Sequence, residues 1–185
     1  MSPFRFNGYV IVSADGILAD STGVMPDTLK FAGDQAFFTA GLERADLIVH
    51  GRHSFEDQPN SPKRTRIVLS RSIDAVAPDP DNVKATLWNP AGATFEEACA
   101  VAGIEAGTVA IIGGPAVYGM FLDRYDVFWL SQAPNVHVSD GQGCFPGVPA
   151  QSPQQVLASH GLVASEVQVL DDAHDVRVTA WRRVG

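Results

Sequence analysis

Three short segments combine residue types suited to holding a phosphorylated ligand. Val49-His50-Gly51-Arg52-His53-Ser54 places a glycine and an arginine directly after an apolar run. A glycine there lets the backbone approach a ligand closely. A helix starting next would offer free N–H groups beside the Arg52 charge, which together make an anion site. A tight turn with a solvent-facing arginine would leave the same trace. Ile111-Ile112-Gly113-Gly114-Pro115-Ala116-Val117-Tyr118 carries paired glycines that can let the backbone pass against a pyrophosphate. It is not the GxGxxG of a Rossmann turn, and a strand-to-helix turn needing unusual φ values explains it equally well. Leu69-Ser70-Arg71-Ser72 suits a phosphate monoester, such as a nucleotide 2′-phosphate, although an exposed loop arginine is commonplace.

The elements that must position these segments are short apolar runs separated by Gly, Pro and Asp. Val10–Val12, Leu47–Val49, Ile67–Leu69, Ala85–Trp88, Val109–Ile112 and Val127–Leu130 read as strands. Asp34 to Arg44 has Phe37, Phe38 and Leu42 at helical spacing. Ser54 caps a short helix through Asp57, ended by Pro59. Thr94 with Glu97 three residues on marks a third helix start. Pro115 sits where a fourth can begin, its missing N–H being no loss there, with Val117, Tyr118, Phe121 and Leu122 on its apolar face. Ala14 to Pro26 and Asn135 to Pro153 read as long loops. Val163–Leu170 and Asp175–Trp181 alternate around Asp171-Asp172-Ala173-His174, a hairpin signal. Strands alternating with helices predict an α/β three-layer sandwich, with a mostly parallel sheet and an antiparallel C-terminal hairpin. Ligands in such folds sit at the carboxyl ends of the strands.

The chain has 185 residues, a single domain's worth. It is 45% hydrophobic and 18% charged, a globular balance, so the core needs no metal or disulfide staple. A net charge of −8 argues against a nucleic-acid partner. Cys99 and Cys144 are far apart, and no Cys/His spacing suits zinc. His50, His53, His137, His160 and His174 are scattered and read as ordinary loop or core residues. No run of about 18 apolar residues is present, so no membrane span is expected. Met1–Phe6 lacks the apolar run of a secretory signal, so the expected compartment is the cytoplasm, with both thiols reduced. There is no Gly-x-Ser-x-Gly hydrolase elbow and no His-x-Glu with a Pro-Cys-x-x-Cys deaminase site. Phe128 and Trp129 alternate on one strand, which fits a homodimer interface or burial on both faces of the sheet.

Taken in order, four segments resemble the dihydrofolate reductase superfamily, which includes the reductase domain of bifunctional riboflavin-biosynthesis deaminase-reductases. They are Asp15-Gly16…Met25-Pro26, Gly51-Arg52-His53-Ser54-Phe55-Glu56, Ile67-Val68-Leu69-Ser70 and Ile112-Gly113-Gly114-Pro115-Ala116-Val117-Tyr118. Phe121-Leu122, Leu130-Ser131, Asp140 and Phe145-Pro146 continue the match. The resemblance spans about Val10 to Pro146, with a compatible hairpin beyond. It implies NADPH binding, with Gly51, Arg52 and Ser54 at the cofactor phosphates and Ser70 and Arg71 at the 2′-phosphate. Ile112, Gly113, Gly114, Ala116, Val117 and Tyr118 would line the turn beside nicotinamide and pyrophosphate, with a cis Gly113–Gly114 bond. Ile11 matches the position whose backbone meets the carboxamide, and Ala14–Pro26 the mobile loop over the nicotinamide.

On the substrate side, Asp34 matches the acidic residue at the start of the substrate helix, where it would accept hydrogen bonds from an amino-pyrimidine ring. In a dry pocket it would favour the protonated substrate, the better hydride acceptor. Helix capping is the plainer reading of Asp34. Ser131 matches a hydroxyl supporting that carboxylate or the ring. Arg64 falls near the arginine that grips the folate glutamate tail, with Lys63 and Arg66 as close rivals. Folate-specific members carry tryptophan after Met-Pro, whereas this chain has Asp27. Ser13-Ala14-Asp15-Gly16 looks more like the riboflavin-pathway reductases. The resemblance thus implies an NADPH-dependent reductase of dihydrofolate or of 5-amino-6-(5-phosphoribosylamino)uracil. Its partner would be a small molecule, with neither nucleic acid nor membrane. A non-catalytic NADP-binding module would keep Arg52, Gly113 and Gly114 and turn nothing over.

Overall fold

The structure is a computed structural model that describes residues 2–53 and 60–185. Its strands are β1 (Phe4–Val12), β2 (Ile17–Ala19), β3 (Leu47–Gly51), β4 (Arg66–Leu69), β5 (Val76–Pro78), β6 (Ala85–Trp88), β7 (Gly107–Ile111), β8 (Val127–Gln132), β9 (Gln142–Gly143), β10 (Leu162–Asp171) and β11 (Val176–Arg183). Its helices are α1 (Ala32–Arg44), α2 (Phe95–Ala102), α3 (Pro115–Met120) and α4 (Pro153–Ser159). Among the described residues, nine strands form one sheet in the order β10-β11-β8-β1-β7-β3-β4-β6-β5. The central pairings from β8 to β6 are parallel. The β10–β11 hairpin joins β8 antiparallel, as the sequence predicts. A second antiparallel edge, β5 on β6, was not anticipated.

Strand alternation sorts the side chains into two layers. Phe4, Phe6, Leu47, Val49, Val109, Ile111 and Phe128 enter one core with α2, α3 and α4. Tyr9, Ile48, Ala110 and Trp129 face the other way, toward Leu42, Phe37 and Phe38 of α1. Two core layers flanking one sheet make the three-layer sandwich. Phe128 is fully buried, and Trp129 stacks edge-on against Phe37 with ring centroids 5.4 Å apart, so packing on the two faces accounts for both rings.

The helix signals are local and mostly hold. Thr94 and Glu97 form a reciprocal capping box on α2, which ends at Gly103 in the left-handed conformation. Pro115 occupies the first turn of α3. The sequence reading missed α4, although Ser152 and Gln155 make the same capping box with Pro153 inside it. The two expected loops are also more ordered than their composition suggests, because β2 and β9 pair antiparallel and join them. The expected Ser54–Asp57 helix and the candidate residue Ser54 lie outside the described residues. No helix of the described residues is long and apolar enough to cross a membrane.

Candidate active site

The strand register lines up most of the candidate residues. Gly8 pairs with Ile111 and Phe128, Val49 pairs with Ile111, and Ile67 pairs with Val49. Three positions further along each chain stand Ile11, Gly114, Ser131, Arg52 and Ser70. Residues level on adjacent parallel strands stay level at their ends, so these five converge on the carboxyl edge of the sheet.

Asp34 is the buried acid of this edge. It lies in the first turn of α1, but the N-cap is Phe31 and no side chain caps the helix. The capping reading therefore does not hold. Asp34 is 8% exposed, and burial pushes its carboxyl up to about 6, against the opposing effect of a hydrogen bond with Ser131. Ser131 is itself buried, on β8 beside Ile11 of β1. Ile11 belongs to an apolar cluster with Leu29 and Val176, flanked by Met25 and Phe31. The start of α1 is seated against the hairpin. A Cβ on Gly33 would lie 1.9 Å from the Leu170 carbonyl oxygen, so only glycine permits this approach. Phe31 stacks on His174 of the hairpin turn, with centroids 5.4 Å apart. The sequence reading placed His174 in the hairpin turn but did not single out Phe31 or pair the two, since nothing local marks a contact across that distance. Asp27, in contrast, is a solvated residue paired with Lys30 at 3.0 Å.

The Gly113–Gly114 peptide is cis. Gly113 has φ +115°, and a Cβ there would lie 3.1 Å from the Tyr118 ring. The turn is tied to β3 by the Gly51 N–H donating to the Gly113 carbonyl at 2.7 Å, and to α3 by the Tyr118 N–H donating to the Gly114 carbonyl at 2.9 Å. A Cβ on Gly51 would meet Val117 at an ordinary 3.4 Å, so crowding does not explain that glycine. Val117 and Tyr118 point into the core, Ile112 is half-buried and Ala116 is exposed. The Tyr118 hydroxyl donates to the Tyr9 carbonyl, which fixes the ring behind the turn.

Arg52 and Arg71 are exposed at the ends of β3 and β4. Beside Arg71, the buried Ser70 hydroxyl lies 2.7 Å from that of Ser72. Arg64 stands before β4 rather than after it, six residues from Ser70, so it is not part of the row. His50 is structural. The Gly51 carbonyl accepts from its Nδ1, and Arg66 lies 3.3 Å from Nε2, so the ring is neutral with its proton on Nδ1. Burial lowers its pKa, and the Arg66 charge adds to that. Among the described residues, no three His, Cys, Asp or Glu side chains cluster as a metal site would need.

No protein-family model and no curated protein matches the sequence. Solved structures do match the fold. A dihydrofolate reductase from Enterococcus faecalis, complexed with NADP(H) and RAB-propyl, is 20% identical with a TM-score of 0.66, over 98% of this chain and 97% of that one. A protein assigned to riboflavin biosynthesis from Shewanella sp. PV-4 is 21% identical with a TM-score of 0.65, over 98% and 99%. A diaminohydroxyphosphoribosylaminopyrimidine deaminase/5-amino-6-(5-phosphoribosylamino)uracil reductase from Thermotoga maritima is 15% identical with a TM-score of 0.60. That match covers 97% of this chain and 56% of the longer protein. The chain thus has the dihydrofolate-reductase-like fold.

Proposed function

We propose that this chain is an NADPH-dependent reductase that delivers a hydride to a pteridine or related amino-pyrimidine. The observation that carries the reading is the Asp34–Ser131 pair, a buried carboxyl held at the sheet edge where the anion-binding candidates converge. The donor set suits a dinucleotide. Arg52 supplies charge for the pyrophosphate, Arg71 with the Ser70 and Ser72 hydroxyls supplies a 2′-phosphate site, and the Gly113–Gly114 backbone supplies a surface free of side chains. When bound, the cofactor supplies the hydride.

The protein's own part is position and protons. Ser131 orients the Asp34 carboxyl, which passes its proton to a ring nitrogen as the hydride arrives and, once ionised, accepts from the ring's amino and N–H groups. Ile11, Leu29, Met25 and Phe31 exclude water, which strengthens that interaction and keeps a proton available at the site. The proton requirement gives a pH signature. Turnover is expected to fall as pH rises above about 6, where Asp34 loses its proton, and Asp34→Asn is expected to erase that inflection. A profile flat from pH 5 to pH 8 would remove the proton role.

The 2′-phosphate assignment makes a separate expectation. Arg71→Ala should weaken NADPH binding about tenfold, the size of one charge-assisted contact, and leave NADH binding unchanged. Equal weakening of both would displace Arg71 from that role. The substrate is tested by following NADPH oxidation with dihydrofolate and 5-amino-6-(5-phosphoribosylamino)uracil in parallel. The Asp15-Gly16 turn and the absence of tryptophan after Pro26 favour the second substrate. Tight NADPH binding with neither substrate turned over would favour a binding module, and no NADPH binding would overturn the reading.

A further inference from the structure

The end of β8 carries two consecutive polar residues that face opposite sides of the sheet. Ser131 turns to Asp34. Gln132, in register with Val12 of β1, reaches past the end of that strand to the root of the Ala14–Pro26 loop. Its Nε2 donates to the Ser13 carbonyl at 3.3 Å and the Ala14 carbonyl at 3.1 Å. Gln154, at the start of α4, donates from its Nε2 to Gln132 Oε1 at 3.3 Å. Carbonyl oxygens only accept, so the Gln132 amide has one workable orientation, with its NH2 on the loop and its oxygen toward Gln154.

The same root is a tight turn with its own ladder. Ser13 N–H donates to the Ile17 carbonyl at 2.9 Å, Gly16 N–H to the Ser13 carbonyl at 3.1 Å, and Ala14 N–H to the Val136 carbonyl at 2.9 Å. Ile17 N–H also donates to the buried Ser13 hydroxyl at 3.1 Å. Gln132 hydrogen-bonds this turn to the sheet edge and, through Gln154, to α4, on whose Pro153 the turn also packs at Gly16.

We infer that Gln132 is a positioning residue, setting the loop root relative to the Ser131–Asp34 pair and so the place of the loop, whose Met25 packs on the Ile11–Leu29 cluster beside Ser131. One strand end then fixes both the acid and the loop, and α4 acquires a role beyond packing. The connection between Gln132 and the loop stands on its own, while its service to a bound dinucleotide rests on the function proposed above.

The test is amide hydrogen exchange on Gln132→Met, which keeps side-chain length and removes both donors. Exchange at Ala14, Gly16 and Ile17 is expected to become about tenfold faster, while core amides of β1 and β7 keep their protection. Gln154→Met, which removes the outer contact only, should accelerate the same three amides by a smaller factor. Wild-type protection at all three in both variants would overturn the inference. A loss of protection spread evenly over the core would also overturn it, because that is the response of a residue that merely packs. The second readout is NADPH dissociation, expected to be severalfold faster in Gln132→Met. An unchanged rate beside faster local exchange would overturn the loop's service to the cofactor. A wild-type chain that fails to bind NADPH would instead overturn the proposed function, with the exchange data deciding the role of Gln132.

Discussion

Asp34→Asn is expected to cost a hundredfold or more in turnover, about the size of losing a positioned proton-handling group, while NADPH binding changes little. The same substitution should make the protein more stable at neutral pH. Burial raises the folded-state pKa of Asp34 to about 6, above the ordinary carboxylate value near 3.8. Stability linked to this group is therefore fully present below about pH 4 and is lost as pH rises through about 6. The cost at pH 8 is on the order of 3 kcal/mol. An amide avoids the charge but still must satisfy its own polar atoms, so a net gain of about 1–2 kcal/mol is expected, or a few degrees in Tm. Melting curves of the two proteins should lie furthest apart at pH 8 and approach each other toward pH 4. A variant that keeps full turnover would remove Asp34 from the chemistry. One that melts lower than the wild type at pH 8 would show that the carboxylate is better satisfied than its burial implies.

Gly113→Ala is the second substitution with a large expected effect. The residue has φ +115°, a conformation that side-chain-bearing residues rarely adopt. The new methyl would also press on the Tyr118 ring at 3.1 Å, and that ring is anchored by its hydroxyl on the Tyr9 carbonyl. The turn must shift, and with it the Gly51–Gly113 backbone bond that ties β3 to β7. A destabilisation of about 1–3 kcal/mol is expected. NADPH binding should weaken by tenfold or more, because the displaced backbone is the proposed dinucleotide surface. Denaturant unfolding and fluorescence titration measure the two effects. Wild-type affinity in a folded variant would detach the turn from cofactor binding.

Which parts of this were legible in the sequence follows from the range of the signals. Most strands of the central sheet are contiguous apolar runs, although Arg5, Asn7 and Gly8 interrupt the first part of β1 and hid all but Val10–Val12, and the cap of α2 is spelled by Thr94 and Glu97 within one turn of chain. The Ser152-Pro153…Gln155 cap of α4 was equally local, but it followed a Gly/Pro-rich stretch whose composition masked it. The two-residue strand β9 and three-residue strands β2 and β5 are too short to show periodicity. Asp34 could be a cap or a buried acid as long as only its neighbours in sequence were visible. The choice was decided by the N-cap of α1, which falls at Phe31, and by Ser131, whose hydrogen bond to the buried carboxyl comes from a strand distant in sequence. Gln132 shows the same limit, since its partners Ser13, Ala14 and Gln154 lie far away in sequence. Ile11, Gly114, Ser131, Arg52 and Ser70 could be gathered in the sequence only by family resemblance, and the strand register is what brings them level at one edge of the sheet.

The most direct test is a single turnover with NADPH carrying deuterium at nicotinamide C4, incubated with each of the two candidate substrates and read by mass spectrometry of the product. Transfer of the label to one reduced product, abolished in Asp34→Asn, is the expected result. A wild-type protein that binds the labelled cofactor and delivers deuterium to neither substrate would contradict the assignment of a pteridine or amino-pyrimidine reductase.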